Sequence, residues 1–241
     1  MDNINPPCIP FAFPGLPQVK CLFSTATSNN MSLWADRENP ERVLKNRIRF
    51  MSAAGFSQWA EVQQVHGDRL VKVEFGTGLS AEDVEKADGL YTSNRQVGLI
   101  IKSADCQPIL IARQDGKAIA ALHVGWRGNS VNFPITAVQR LANLFSCAPG
   151  DMMAVRGPSL GPAASEFVNF HNEWPSEFAP WFDEKKRTVN LWLLTRHQLM
   201  EAGLKPECIF SLDLCTYDTP GLLFSHRRRD AGRQVSVIWL D

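Results

Sequence analysis

Apolar residues form a dense series of short runs through the middle of the chain. Residues 97–103, 108–112 and 118–124 are almost continuously apolar, which predicts three strands that are buried on both faces. Gln114-Asp115-Gly116 separates the second run from the third and predicts a hairpin turn. Shorter runs predict further strands over residues 62–65, 70–75, 153–155, 208–214 and 234–240.

Three segments are predicted to be helices, and the first two are amphipathic. Residues 40–55 begin with proline and end with glycine, residues 130–145 follow a glycine-containing turn, and residues 190–202 end before Gly203. Strands and helices interleave without a strict βαβ rhythm, so we expect an α/β fold with mixed β-sheets flanked by helices. Residues 1–241 are predicted to be a single domain with a proline-rich N-terminal arm over residues 1–20, lying extended on the surface.

Composition narrows the class of protein. The 241 residues are 44% hydrophobic and 21% charged, as in a globular protein, and 25 basic residues balance 25 acidic ones. Nucleic-acid and membrane partners are therefore not expected, and no apolar stretch approaches the roughly 18 residues of a membrane span. The six cysteines are scattered singly and the N-terminus lacks a signal-peptide pattern, so we expect a reduced, cytoplasmic protein, monomeric or weakly homo-oligomeric.

Candidate metal ligands stand at the ends of predicted strands. His66, Cys106 and His123 are two imidazoles and a thiol, and no fourth protein ligand is evident. Such a set describes a catalytic zinc site with one coordination position open, and it can also hold a single copper ion. Gly67 and Gly125 follow the two histidines closely and permit close backbone approach.

Charged residues near these ligands suggest the rest of a site. Asp88 and Asp105 are candidates to orient an imidazole or to transfer protons, although Asp88 can equally belong to a simple turn. Arg127, Arg47 and Arg156 are candidates to bind an anionic substrate such as phosphate. The arginine run in residues 225–230 is typical of a surface loop, since nucleic-acid binding needs a broader basic surface.

Several short motifs, in this order, resemble the laccase-domain family, whose members are called polyphenol oxidases, peptidoglycan editing factors or purine nucleoside phosphorylases. The motifs extend from about residue 40 to the C-terminus, and it is their combination that is specific. They are Asn46-Arg47, Gln64-Val-His-Gly67, Ala87-Asp-Gly89, Ala104-Asp-Cys106 with Pro108, His123-Val-Gly-Trp-Arg-Gly128, Arg156-Gly-Pro-Ser-Leu-Gly-Pro162, Cys215-Thr216, Phe224-Ser-His-Arg-Arg228 and Gly232-Arg233.

The resemblance implies a zinc site at His66, Cys106 and His123 in a single domain of mixed sheets. It also implies phosphorolysis of adenosine, inosine and methylthioadenosine, with a purine nucleoside and phosphate as substrates, together with deamination of adenosine. Copper-dependent phenol oxidation and editing of peptidoglycan precursors are further activities attached to the family. Five histidines are too few for several copper ions, so a multicopper oxidase is not expected.

The chain also departs from the family pattern. A glycine-rich segment followed by Ser-Leu-Asn-Leu-Gly is reduced here to residues 24–34, and residues 163–168 lack the usual cysteine. Two other functions stay open. One is a metal-free cysteine hydrolase with Cys106 as nucleophile, His123 as base and Asp88 or Asp105 as orienting group. The other is a binding protein without catalysis.

Overall fold

Two mixed β-sheets dominate the computed structural model, which describes residues 8–35, 39–80 and 84–241. The strands are β1 (Cys8–Phe11), β2 (Val19–Ser24), β3 (Gln58–Ala60), β4 (Leu70–Lys72), β5 (Gly89–Thr92), β6 (Val97–Ser103), β7 (Gln107–Arg113), β8 (Ile119–Val124), β9 (Met152–Arg156), β10 (Phe182–Asp183), β11 (Thr188–Val189), β12 (Ile209–Ser211) and β13 (Gln234–Leu240). The α-helices are α1 (Pro40–Ala54), α2 (Trp126–Ser130), α3 (Phe133–Leu144), α4 (Phe170–Glu173) and α5 (Leu191–Glu201).

The strand orders are β1-β2-β13-β6-β3 in the first sheet and β12-β9-β7-β8-β5-β4 in the second, and β10 pairs only with β11. In the first sheet only the β3–β6 pair is parallel, and in the second the β4–β5 and β12–β9 pairs are parallel. Mixed sheets flanked by helices were the predicted fold class, and the structure confirms it.

The strands at the centre of the molecule are covered on both faces. One core lies between the two sheets and includes Phe23 of β2, Leu99 of β6 and Leu110 of β7. The neighbouring Ile109 belongs instead to a second core under α3 and α5, because successive side chains of a strand point to opposite faces. A third core packs α1 against the outer face of the first sheet. The predicted burial of these strands on both faces is confirmed.

Two predicted elements differ from the structure. The helix predicted over residues 130–145 begins only at Phe133, because Asn132 precedes it in a left-handed conformation with φ of 56°, and the glycine-containing turn predicted before it is the short helix α2. Residues 62–65 do not form a regular strand; Gln63 makes an isolated bridge to Lys86 instead. By contrast, β6 and β13 have the predicted bounds, and the β7–β8 hairpin forms as expected.

The N-terminal segment is more integrated than the sequence suggested. Residues 1–7 of the predicted arm lie outside the described residues, but β1 pairs with β2 as an edge strand. Phe13 and Leu16 are buried in the core between the sheets. The prediction of an extended surface arm is therefore wrong for residues 8–20. Pro10 is accommodated because an edge strand needs no second hydrogen-bonding partner.

Among the described residues, no helix has the length and apolar character required to cross a membrane.

Candidate metal centre

The loops and strands of the second sheet bring three ligand residues together. His66 precedes β4, Cys106 lies between β6 and β7, and His123 lies in β8. One potential ligand atom of each residue lies within 4.8 Å of the others, and among the described residues this is the one such group of three. Cys106 Sγ is 3.9 Å from His66 Nε2, and the two imidazole centroids are 4.9 Å apart. The three residues singled out from the sequence thus converge.

A glycine provides the space for this convergence. A Cβ atom at Gly125 would lie 2.9 Å from Cys106 Sγ and 3.2 Å from His66 Cδ2. The first distance is shorter than real Cβ contacts, so any larger residue would push the thiol away. Gly125 has an ordinary φ of −83°, which means that the requirement is steric and not conformational.

Asp88 is hydrogen-bonded to both ligand histidines, to the ring of His123 and to the backbone of His66, and it is fully buried. One carboxylate oxygen lies 2.7 Å from Nδ1 of His123. The carboxylate also accepts hydrogen bonds from the backbone amides of His66 at 2.9 Å and Gly67, where His66 has a left-handed φ of 62°. Because Nδ1 of His123 is engaged by Asp88, Nε2 is the ring nitrogen left for a metal ion. Asp88 thus contacts both ligand histidines and does more than close its own turn.

Burial alone would raise the pKa of Asp88, but the hydrogen bond with His123 and those from the backbone amides of Gly67 and His66 lower it overall. The group is therefore held as a carboxylate. This favours the orienting role over proton transfer.

Asp105 fixes loops around the centre. Its carboxylate accepts hydrogen bonds from the Thr216 hydroxyl at 2.6 Å and the Arg227 backbone amide at 2.7 Å. Its carbonyl oxygen accepts one from the backbone amide of Leu160 at 2.8 Å, and its φ is 92°. The side chain of the residue next to Cys106 is thus directed at the two C-terminal loops. Of the two roles open to Asp105 from the sequence, the structure supports positioning.

The charges of Cys106 and His123 stabilise each other. Burial raises the pKa of the Cys106 thiol, but the charge and hydrogen bonds of His123 and His66 outweigh burial and lower it to about 6. Burial lowers the pKa of His123, whereas the Cys106 thiolate and Asp88 raise it to about 9. Both directions favour a thiolate–imidazolium pair when no metal is bound, and the thiolate is the form that binds metal ions.

The three ligand residues line a cavity of about 440 Å³, here called the metal pocket. Its other lining residues are Ser32, Trp34, Ala35, Gln63, Gln64, Lys102, Ser103, Ala104, His226 and Arg233. Sequence reasoning did not choose Lys102, Arg233 or His226 as site residues. A lysine inside a strand predicted to be buried on both faces was the available signal for Lys102, since buried lysines are rare.

None of the three arginines proposed as substrate ligands lines the metal pocket. Arg47 is fully buried, and its guanidinium donates to Glu61 through two bonds of 2.6 and 3.2 Å. Arg127 is exposed and stacks on Trp126. Arg156 is buried against Asp213 and lines a different cavity of about 220 Å³. Arginine is a suitable residue type for binding phosphate, but one of these side chains is paired inside the core, one is exposed to solvent and one is paired with another carboxylate.

Comparison with known proteins places this geometry in a family. The sequence model described as multi-copper polyphenol oxidoreductase laccase matches residues 23–241. A purine nucleoside phosphorylase of Xylella fastidiosa (strain Temecula1) is 32% identical over 219 residues, which cover 83% of this chain and 80% of that protein. Purine nucleoside phosphorylase YfiH of Escherichia coli K12 is 30% identical over 213 residues, covering 84% and 83% of the two chains.

Solved structures agree with the sequence matches. The crystal structure of the hypothetical protein YfiH from Bacillus licheniformis superposes with a TM-score of 0.86 at 25% identity and covers 98% of this chain and 97% of that one. Protein NMB0706 of Neisseria meningitidis gives a TM-score of 0.80 at 26% identity, with coverage of 97% and 99%. The resemblance inferred from short motifs is thereby confirmed over nearly the whole chain.

Proposed function

Because the chain belongs to the multi-copper polyphenol oxidoreductase laccase family, and similar proteins carry the name purine nucleoside phosphorylase, we propose that it is a zinc-dependent purine nucleoside enzyme. It cleaves adenosine, inosine and methylthioadenosine with phosphate, and it deaminates adenosine. The observation that carries this proposal is the convergence of His66, Cys106 and His123 in a cavity that Arg233 also lines.

The three ligand residues fit a zinc ion. Two imidazoles and a thiolate are ligands that zinc prefers, and three protein ligands leave a position for a reacting molecule. Asp88 supplies the carboxylate that commonly supports a metal-binding histidine. When bound, zinc would supply a Lewis acid that polarises water or a substrate oxygen at neutral pH.

Arg233 is the residue best placed to bind phosphate. Its Nη1 donates to the backbone oxygens of Gly232 at 2.7 Å and Asp230 at 3.3 Å. Nε and Nη2 have no hydrogen-bond partner among the described residues, which leaves part of the guanidinium fork available. Burial lowers the pKa of Arg233, while Asp105, Cys106 and Asp230 raise it, so its charge lies close to the metal ligands.

Phosphorolysis requires few groups from the protein. A phosphate oxygen attacks C1′ of the ribose as the bond from C1′ to N9 breaks, and the purine leaves with the bonding electrons and takes up a proton. Arg233 holds the phosphate, and His226, the remaining imidazole of the pocket, is the group that can deliver the proton. The products are the free purine and ribose 1-phosphate.

Deamination has weaker structural support. Water attacks C6 of adenosine and ammonia leaves, which requires a group that moves protons between the two. Neither Asp88 nor Asp105 is among the described residues that line the pocket, and both carboxylates are already hydrogen-bonded. We therefore propose deamination as the slower of the two reactions.

The thiolate–imidazolium pair favours one alternative, a metal-free cysteine hydrolase. In this alternative Cys106 is the nucleophile, His123 is the base and Asp88 is the orienting carboxylate. A copper enzyme is limited to a single ion at this site, because two of the five histidines, His171 and His197, lie at the surface beside Glu184 and Glu201.

Incubation of the purified protein with adenosine, with and without phosphate, tests the proposal. We expect phosphate-dependent release of adenine, slower formation of inosine, and close to one zinc ion per chain by elemental analysis. His66→Ala should abolish both products, whereas His197→Ala, a matched surface histidine, should abolish neither. Absence of adenine with phosphate present would contradict the phosphorylase. Full activity after removal of metal would instead support the cysteine enzyme.

Within the described ranges, no disulfide joins any of the six cysteines. This supports a reducing, cytoplasmic location as part of the same proposal.

A further inference from the structure

Trp34 lies at the boundary between two neighbouring cavities. It lines the metal pocket and also a larger cavity of about 970 Å³, and its side chain is partly exposed. Its segment, residues 24–34, is one of the parts of the chain that depart from the family pattern.

A buried cation lies next to the indole of Trp34. The Lys102 ammonium is 4.5 Å from the ring centroid, and Lys102 is only 6% exposed. The ammonium donates to Glu61 Oε2 at 2.5 Å and to the carbonyl oxygen of Val62 at 3.0 Å. Two of its three donors are thus used by the protein, which makes Lys102 a poor ligand for phosphate.

Glu61 is in turn fixed from the other side. It is fully buried, and the Arg47 guanidinium donates to both of its oxygens. Arg47 also donates to the carbonyl oxygens of Met31 at 2.8 Å and Leu79 at 2.6 Å. The chain Arg47–Glu61–Lys102 therefore anchors the ammonium to α1 and to the residue that follows β3, and it contains two positive charges and one negative charge.

Such an anchor limits the motion of the indole. A cation against an aromatic ring is attracted to the ring and holds it most effectively when the cation itself is immobile and desolvated. An immobile indole at the wall of the pocket can bind a flat aromatic ligand without first losing rotational freedom. In nucleic-acid-binding proteins, purine and pyrimidine bases stack on aromatic side chains in this way.

We propose that Trp34 is the stacking surface for the purine base and that Lys102, held by Glu61 and Arg47, is the positioning residue for the indole. This inference rests on the proposed function, because it assigns the base of the same nucleoside substrate. It also makes Trp34 a specificity determinant that favours flat, aromatic bases.

Binding of adenosine in phosphate-free buffer, followed by tryptophan fluorescence and by calorimetry, tests the role of Trp34. We expect adenosine to quench the wild-type fluorescence, and Trp34→Phe to lose the quenching while its Kd by calorimetry stays within a few-fold. Trp34→Ala should raise the Kd and the KM for adenosine roughly 5- to 150-fold, with kcat much less changed. Trp192→Phe is the matched control, since Trp192 also stacks on a buried cation but lines a different cavity.

Lys102 is tested by Lys102→Met, which keeps the length of the side chain and removes its charge. As a positioning residue it should raise the KM for adenosine with little change in kcat, and Lys102→Arg should restore part of the affinity. The double variant with Trp34→Ala should bind adenosine no more weakly than Trp34→Ala alone. Additive losses would contradict the positioning role.

The outcomes separate this inference from the proposed function. Adenosine binding with quenching that depends on Trp34, but without adenine release, would support the stacking role and overturn the phosphorylase. Adenine release with an unchanged KM in Trp34→Ala would overturn the stacking role and leave the phosphorylase standing.

Discussion

Two tryptophans of this protein lie against a buried cation, Trp34 against Lys102 and Trp192 against Arg156. The two cations are similarly buried, at 6% and 4% exposure. Locally the pairs look alike, but only the Trp34 pair lines the metal pocket. The Trp192 pair lines a cavity of about 220 Å³, here called the Trp192 pocket, which has no cysteine or histidine among the described residues that line it.

The partners of the two cations explain the difference. Arg156 is paired with Asp213, whose side chain is 64% exposed, and also donates to the Ser159 hydroxyl at 3.0 Å. Lys102 is paired with a buried carboxylate that it shares with Arg47. A buried cation beside an aromatic ring therefore does not by itself define a ligand site. The chemistry of the surrounding side chains defines it.

The largest difference between the two pockets is expected when a metal ligand is removed from the metal pocket. Cys106→Ala deletes the thiolate ligand, so we expect loss of bound zinc and a fall in adenine release greater than about 100-fold, since even changes behind a ligand lower metal affinity or activity by roughly 10- to 100-fold. Elemental analysis and product assays measure both. Cys147→Ala is the control and should keep metal and activity; retention of zinc by Cys106→Ala would refute the assignment.

A second test disturbs the same pocket by volume alone. In Gly125→Ala the new Cβ would lie 2.9 Å from Cys106 Sγ, so the ligands must move apart. We expect zinc affinity or activity to fall roughly 10- to 100-fold, comparable with other changes that displace ligands. Gly128→Ala is the matched control, because its nearest contact would be an ordinary 3.5 Å. Equal behaviour of the two variants would show that Gly125 is not required for space.

A third test asks whether Arg233 and not Arg156 binds phosphate. Arg233→Met removes charge-assisted hydrogen bonds, each worth about 1.5 to 3 kcal/mol, so the KM for phosphate should rise roughly ten-fold or more. Formation of inosine without phosphate should hardly change. Steady-state kinetics with varied phosphate make the distinction, and an unchanged KM would remove Arg233 from the phosphate site.

A fourth prediction concerns pH in the metal-free protein. Because the pKa of Cys106 is lowered to about 6, its alkylation by iodoacetamide should increase as pH rises through 6 and level off above it. Asp88→Asn weakens the support for the positive charge of His123, so the midpoint should move to higher pH. Mass spectrometry of the labelled peptides gives the profile, with Cys147, whose pKa is raised by burial, as internal control. A Cys106 midpoint at or above 8.5 contradicts the thiolate–imidazolium pair.

The smallest effect is expected in the Trp192 pocket. Arg156→Met should leave the KM values for adenosine and phosphate unchanged and lower the free energy of unfolding by about 1 kcal/mol, because the Asp213 left behind is mostly solvated. For a chain of this size that corresponds to a decrease of roughly 2–4 °C in Tm. A clear increase in the KM for phosphate would restore Arg156 as a substrate ligand.

Some features could be predicted because they depend on short stretches of chain. The apolar runs of β6 and β13 predicted strands with the observed bounds, since continuous apolar character over seven residues leaves little choice of environment. The break at Asn132 and the edge strand β1 were missed. A single left-handed residue and a strand that pairs with one neighbour leave almost no periodic signal.

The candidate ligands were also predictable. His66, Cys106 and His123 stand at or near strand ends, glycines closely follow the two histidines, and soft donors in such positions are few in this chain. The basic residues were not. The sequence suggested that Arg47 could bind a substrate, but its guanidinium is hydrogen-bonded to Glu61. Lys102 interrupts an apolar strand in the sequence, and in the structure it lines the metal pocket.

The order and type of the donor residues thus determined, without a structure, that this chain has a candidate metal site on mixed β-sheets. Only the tertiary structure decided which charged side chains surround that site and which are paired with other residues elsewhere in the protein. The position of a donor at a strand end depends on the local geometry of the chain. The position of a long charged side chain depends instead on where a buried carboxylate neutralises its charge. That carboxylate comes from a distant part of the chain.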